Sequence, residues 1–305
     1  MRSSLNLLGF ASGIAGNNQD CALAAWYLYY HPEWFQDLFV SWEGFIKATS
    51  VARGAGVLGE VIKSVQDLSR AVLTIIKKQE AFGVIGGDHS CAIGTWSAVA
   101  HAYRQQGDIG LLWFDAHMDS HTPETSMTQN LHGMPLATLL GYGVSELCQL
   151  LDMQPKLKAN NVCVIGVRSY EAAERQLLEQ LGVRVYYMEE VQTRGLSTVM
   201  LEAYERVTAH TCGFGISIDM DGIDPADAPG VGYREPGGLS GQALLDALSE
   251  LPQHSRFLGV EITEYNPIRD IDNKTAHLLI ELLGAVVKLF PETLRSEICQ
   301  KSFVP

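Results

Sequence analysis

Leu111-Leu112-Trp113-Phe114-Asp115-Ala116-His117-Met118-Asp119-Ser120-His121 is the stretch on which the rest of the chain is organised. Its first four residues form an unbroken apolar run, the pattern of a strand buried on both faces, and ligand-type side chains begin where that run stops. Asp115, His117 and Asp119 alternate. In an extended chain a period of two turns all three to one side, where they can converge on one point. Two carboxylates and an imidazole at the end of a buried strand are costly without a cationic partner, and a divalent metal ion is the most economical one. A lone D-x-H-x-D also fits a polar loop after a core strand, so the decision rests on two further stretches.

Both repeat the pattern. Ala81 to Ile85 reads as a strand and runs into Gly86-Gly87-Asp88-His89-Ser90; Gly213 to Ile218 reads as another and runs into Asp219-Met220-Asp221-Gly222-Ile223-Asp224-Pro225. Further strands are expected at Leu5 to Phe10, Asn161 to Val167, Val183 to Met188 and Phe257 to Ile262. Between Val57 and Ile76, apolar residues recur at Leu58, Val61, Ile62, Val65, Leu68, Val72, Ile75 and Ile76, the 3.6-residue period of an amphipathic helix. Helices are also predicted over Ala22 to Tyr30, from Ser90 to about Tyr103, and over Tyr170 to Leu181, Leu196 to Val207, Gly241 to Leu251 and Ala276 to Phe290, where Pro291 stops the last. The aromatic-rich segment His31 to Ser50 gives no firm assignment. Strands and helices alternate with no long linker, which predicts one α/β domain over residues 1–305, its parallel sheet covered on both faces. In such sheets sites form beyond the carboxyl ends of the strands, where every candidate ligand here lies.

Composition narrows the partners. The chain has 305 residues, 47% hydrophobic and 19% charged, with a formal net charge of -13 and no basic run. That argues against nucleic acid or an anionic membrane as partner and suits a cationic substrate. The six cysteines (Cys21, Cys91, Cys148, Cys163, Cys212, Cys299) show no metal-type or disulfide-framework spacing and are expected as reduced thiols. No apolar stretch reaches membrane-spanning length, and the N-terminal patch Leu5 to Ala11 is too short for a signal segment, so a cytoplasmic location is expected.

Leaving Asp88 aside as a residue that hydrogen-bonds backbone or orients a ligand, the three stretches offer the imidazoles of His89 and His117 and the carboxylates of Asp115, Asp119, Asp219 and Asp221. This is too much negative charge for one ion and suits two Mn²⁺-like ions bridged by shared carboxylates and a water; zinc normally takes a smaller set. The motifs G-G-D-H-S, D-A-H-x-D and S-x-D-x-D-x-x-D-P, in this order, resemble the three signatures of the ureohydrolase superfamily, which includes arginase, agmatinase, guanidinobutyrase and formimidoylglutamase. The resemblance implies a three-layer α/β/α sandwich with a mostly parallel eight-stranded sheet, the arginase/deacetylase fold. It implies that His89, Asp115, Asp119 and Asp219 bind one Mn²⁺ and that Asp115, His117, Asp219 and Asp221 bind the other. Asp119 is the residue implied to carry a proton to the departing nitrogen.

Within the superfamily the chain is most similar to arginases. Leu131-His132-Gly133-Met134-Pro135 resembles their L-H-G-x-P segment, whose histidine shuttles protons, and Glu264 in Thr263-Glu264-Tyr265-Asn266-Pro267 matches the carboxylate that holds the guanidinium. The positions that read the amino-acid end of the substrate are His121, Thr128, Asn130, Glu171 and Glu174. Three residues depart from the arginase pattern: His121 stands for Asn, Glu171 for Asp, and Tyr233 for a small hydroxyl residue. The implied reaction is hydrolysis of L-arginine to L-ornithine and urea by a homo-oligomer, a trimer or hexamer. The alternatives are another guanidino or formimidoyl substrate (agmatine, guanidinobutyrate, formimidoylglutamate) or a metal-binding regulatory relative without turnover.

Overall fold

A computed structural model describes residues 3–35, 38–48, 54–252 and 256–291. In chain order the elements are β1 (Ser3–Ala11), α1 (Ala24–Tyr29), β2 (Leu38–Lys47), α2 (Leu58–Lys77), β3 (Phe82–Ile85), α3 (Cys91–Tyr103), β4 (Ile109–Phe114), α4 (Pro135–Leu139) and α5 (Ser145–Cys148). They continue with β5 (Val162–Val167), α6 (Ala172–Leu181), β6 (Arg184–Tyr187), α7 (Met188–Arg194), α8 (Leu196–Thr208), β7 (Gly213–Asp219), α9 (Gly241–Glu250), β8 (Phe257–Thr263) and α10 (Lys274–Val287). The eight strands make one sheet in the order β2-β1-β3-β8-β7-β4-β5-β6. Every neighbouring pair is parallel, so the expected mostly parallel sheet is wholly parallel among the described strands.

The continuous apolar runs are explained by layers on both faces. Along β4, Leu112 and Phe114 pack with α8, α9 and α10, whereas Leu111 and Trp113 pack with α2, α3 and α4. All six residues of β4 are buried, as are those of β5. Each fully buried Leu, Ile or Phe contributes about 1.5–3 kcal/mol, so the central strands are the most strongly held part of the chain. In α2 the buried residues Val61, Val65, Leu68, Val72 and Ile75 form the predicted stripe.

The segment that gave no firm assignment holds the eighth strand, β2. It is an edge strand whose residues alternate between exposed (Phe39, Ser41, Glu43) and more buried (Leu38, Val40, Trp42) until a register shift between Trp42 and Gly44 breaks the pattern. Its parallel ladder with β1 holds it, and aromatic packing adds to this: Phe45 stacks on Trp26 of α1 at 3.7 Å between ring centroids. A second difference lies at Met188, which opens α7 instead of closing a strand. Among the described residues no helix is long and apolar enough to cross a membrane, and Cys21, Cys91, Cys148, Cys163 and Cys212 are free thiols. Cys299 lies outside the described residues.

Candidate metal centre and its pocket

Four adjacent central strands, β3, β8, β7 and β4, deliver the polar side chains, and their carboxyl ends open on the same side. After β3 the chain must pass hard against the loop leaving β1. A Cβ on Gly87 would stand 1.9 Å from the Ser12 carbonyl oxygen, so only glycine fits. The Asp88 amide then donates to that same carbonyl at 2.8 Å. The Asp88 carboxylate accepts from the amides of Ala15 and Ser90, both at 3.1 Å, which makes it a backbone organiser. Burial and the nearby Glu264 charge push its pKa up to about 6.

His89 is fixed from behind. Its Nε2 lies 3.0 Å from Ser217 Oγ, and that hydroxyl donates to the fully buried Glu261 carboxylate at 2.9 Å. With the hydroxyl proton committed to Glu261, Ser217 accepts from Nε2–H, which leaves Nδ1 as the nitrogen that can give up its proton and offer a lone pair to a metal ion. Nδ1 is buried and has no hydrogen-bond partner, although oxygens of Asp119, Asp219 and Asp115 stand 3.0, 3.1 and 3.4 Å away. A ring nitrogen facing three carboxylates calls for a positive charge among them, a proton or a metal ion in its place.

A second group adjoins it. His117 Nδ1 is 3.3 Å from Asp221 Oδ2 and 3.4 Å from Asp115 Oδ1. The groups His89, Asp115, Asp119, Asp219 and Asp115, His117, Asp221 each bring their ligand atoms within 4.8 Å of one another and could each hold a metal ion. Asp115 is common to both, while Asp219 falls with His89. The oxygen-rich, imidazole-containing donor set fits a Mn²⁺-like divalent ion.

The carboxylates are pre-aimed. Asp115 accepts from the Trp113 indole at 2.9 Å and from the His117 amide at 2.7 Å, and Asp219 accepts from the Asp221 amide at 2.8 Å. Trp113 also stacks on the His89 ring, 4.3 Å between centroids. The Arg168 guanidinium donates to the carbonyls of Asp221 (2.7 Å), Gly222 (3.0 Å) and Glu235 (2.7 Å), clamping the turn after β7. None of these supports is assigned from the sequence. Glu261 leaves the clearest signal there, a carboxylate in the middle of an otherwise apolar strand; Trp113 reads simply as core.

Among themselves these groups hold protons tightly. Burial alone would depress the imidazoles, yet Asp115, Asp119 and Asp219 around His89, and Asp221 and Asp115 around His117, hold both well above their usual range. Burial and the Asp115 charge push Asp119 up to about 7; burial, Asp221 and Asp115 raise Asp219. Asp115 resists burial and stays below the usual carboxylate range because of His117 and His89.

Glu264 follows β8 in a left-handed conformation, φ +61°, and Asp119 shares that region at φ +46°. For a non-glycine residue such backbone is strained, and it is characteristic of positions held for a purpose. The Glu264 amide donates to the Gly87 carbonyl at 2.8 Å. Its Oε1 accepts from the His89 amide at 3.0 Å and pairs with His132 Nδ1 at 3.2 Å, while Oε2 is buried without a partner. Burial would lower the His132 pKa, but Glu264 raises it to about 9. The His132 ring lies between Gly16, where a Cβ would come within 2.9 Å of ring atoms, and Tyr233, stacked at 5.9 Å.

These residues line a cavity of about 270 Å³ that runs outward past Asn130 and Thr128 to Glu171 and Glu174. At that outer end His121 Nε2 lies 3.4 Å from Glu174 and 3.5 Å from Glu171. Every site residue predicted from the sequence therefore meets at one cavity or in its floor. Asn17, Ser126, Met127, Ser169 and Tyr170 join the lining without having been anticipated.

Comparison with known proteins agrees with this geometry. The sequence model of the arginase family matches residues 22–288. An arginase of Bacillus caldovelox is 40% identical over 229 residues, 75% of this chain and 76% of that protein. One from Brevibacillus brevis is 39% identical over the same length and shares of each chain. The crystal structure of arginase from Bacillus cereus superposes with a TM-score of 0.86 at 33% identity, covering 93% of this chain and 98% of that one. From the three strand-end motifs to the order of the sheet, the chain belongs to the arginase family.

Proposed function

We propose that this protein is a Mn²⁺-dependent arginase that converts L-arginine and water to L-ornithine and urea. The observation that carries the reading is the buried His89 Nδ1, without a hydrogen bond and ringed by three carboxylates at the floor of a cavity. Curated relatives named arginase at about 40% identity support the choice of substrate. His89, Asp115, Asp119 and Asp219 would hold one ion, and Asp115, His117, Asp219 and Asp221 the other. Bound there, Mn²⁺ supplies the Lewis acidity that makes hydroxide available near neutral pH, which a charge-delocalised guanidinium carbon demands.

The chain's own groups do the rest. Glu264 offers its free Oε2 to the guanidinium as a charge-assisted acceptor and holds the carbon over the floor of the site. Asp119 passes a proton to the departing nitrogen. His132, tied to Glu264 at 3.2 Å, relays protons between the site and solvent. Asn130, Thr128 and His121 line the outer end, where the amino-acid end of the substrate would lie beside Glu171 and Glu174. Urea release from Mn²⁺-loaded protein against L-arginine, agmatine, guanidinobutyrate and formimidoylglutamate tests the reading. Arginine is expected to be strongly preferred over agmatine, which lacks the α-carboxylate. Comparable kcat/KM for the two would reject an arginase in favour of another guanidino hydrolase.

A further inference from the structure

We infer that His121 occupies, from within the chain, the place at the outer end of the pocket that a substrate ammonium would take, so that ω-guanidino acids lacking an α-amino group are hydrolysed as well. The inference rests on the hydrolase reading above and specifies which part of the substrate that site ignores.

The two outer acids are not waiting for a ligand. Glu174, nearly buried, accepts from the Ser120 amide at 3.2 Å through one oxygen and from the Glu171 amide at 3.0 Å through the other. His121 Nε2 adds a third contact to Glu174 at 3.4 Å and reaches Glu171 at 3.5 Å. The Thr125 hydroxyl has one proton and two acceptors in reach, the Thr122 carbonyl at 3.3 Å and His121 Nδ1 at 3.1 Å; given to the ring, it leaves the neutral imidazole's own N–H on Nε2, on the side of the two carboxylates. The ring is held from its other side as well. Its Nδ1 lies 3.1 Å from Thr125 Oγ1, which the Thr122 amide anchors at 2.9 Å, and the His121 amide donates to the Gly133 carbonyl at 3.0 Å. The His121 side chain is only 12% exposed.

A polar pocket rejects an analogue that lacks a group because the pocket's own buried atoms are then left unpaired, and such rejection can reach about 10⁴-fold. At the inner end that condition holds, since Glu264 Oε2 is buried and free. At the outer end it does not: removing the substrate's ammonium leaves Glu174 with two amides and an imidazole. For 5-guanidinopentanoate, arginine without its α-amino group, the reaction balances as for arginine. Water oxygen bonds to the guanidinium carbon, the bond from that carbon to the chain nitrogen breaks, and both water protons end on that nitrogen. The products are urea and the ammonium form of 5-aminopentanoate.

The test compares initial rates of urea release from L-arginine and 5-guanidinopentanoate by the Mn²⁺-loaded full chain. The two kcat/KM values are expected within about tenfold. His121→Asn, which uncovers Glu171 and Glu174, should widen the arginine preference by at least about tenfold, through KM of the des-amino compound and not kcat. Hydrolysis of arginine with the analogue rejected by more than about 100-fold overturns the inference and leaves the hydrolase reading standing. Urea from neither compound overturns the hydrolase reading and this inference with it. Should the variant not fold, the wild-type ratio alone decides.

Discussion

At the inner end of the pocket His89 Nδ1 faces oxygens of Asp119, Asp219 and Asp115 at 3.0, 3.1 and 3.4 Å; at the outer end His121 Nε2 faces Glu174 and Glu171 at 3.4 and 3.5 Å. The residue types and spacings are nearly the same, yet the two clusters ask for different things. His89 spends its N–H on Ser217, so its lone pair joins the carboxylates as a donor to a cation. Beside His121, each oxygen of Glu174 already accepts a backbone amide, so that end asks for no cation. The hydrogen bonds that the neighbouring groups already hold thus decide whether an imidazole among acids is a ligand set or a closed network. Depth reinforces the contrast: His89 and Asp115 are excluded from solvent, whereas the Glu171 side chain is 63% exposed.

The largest effect should come from breaking the inner cluster. Asp115→Ala or Asp219→Ala is expected to abolish urea release and to lower the metal content from about two ions per chain, as measured by elemental analysis after desalting. Full activity with a single ion per chain would end the binuclear reading. The same crowding sets the pH dependence. The imidazoles of His89 and His117 and the carboxyls of Asp119 and Asp219 are all held above their usual values, Asp119 at about 7. A metal ion binding there must displace protons, so affinity should rise as pH rises through 7. Calorimetry in buffers of different ionisation heat should register more than one proton released per chain. A buffer-independent heat contradicts this.

Next in size is His132, which belongs to neither cluster. His132→Ala is expected to lower kcat by roughly 10²-fold with metal content intact, and exogenous imidazole should restore part of the rate. An unchanged kcat would make it a loop residue and nothing more. The proton on His89 is itself open to test. Ser217→Ala removes the acceptor that holds it on Nε2 and should weaken metal affinity by about 10–100-fold in a chelator competition. Unaltered affinity would show that the tautomer is set elsewhere and would erase the contrast between the two ends. The smallest effect is expected for Glu171→Gln. An exposed ion pair is worth about 0–1 kcal/mol, so KM for arginine should move by no more than about fivefold, measured by steady-state urea release. A change of a hundredfold would mean that Glu171 holds substrate directly.

Much of this was legible in the chain before folding. Asp115, His117 and Asp119 follow β4 within five residues, Asp219 closes β7 two residues before Asp221, and His89 lies just past β3, so their place at the strand ends is legible; the backbone that makes them converge is not extended, with Asp119 left-handed at φ +46° and Asp221 in a 3-10 turn. Where a buried strand stops and ligand-type residues begin is readable because it is a property of a few consecutive residues. The amphipathic stripe of α2 is legible for the same reason. β2 escaped because its alternation is short, only half-buried on its inner face, and broken by the register shift between Trp42 and Gly44.

What only the tertiary structure decided is everything that depends on residues far apart in sequence. That β3, β8, β7 and β4 lie side by side is a matter of strand order, which no local period encodes. Ser217 orients His89 across 128 residues, and the Glu264 carboxylate reaches the His89 amide across 175. His121 stands two residues from Asp119 and by spacing alone belongs with the ligands, but the turn that follows β4 sends its ring to the start of α6. Sequence names the ionisable groups near a strand end; only the fold determines which neighbour takes each proton, and with it which end of the pocket still requires a cation.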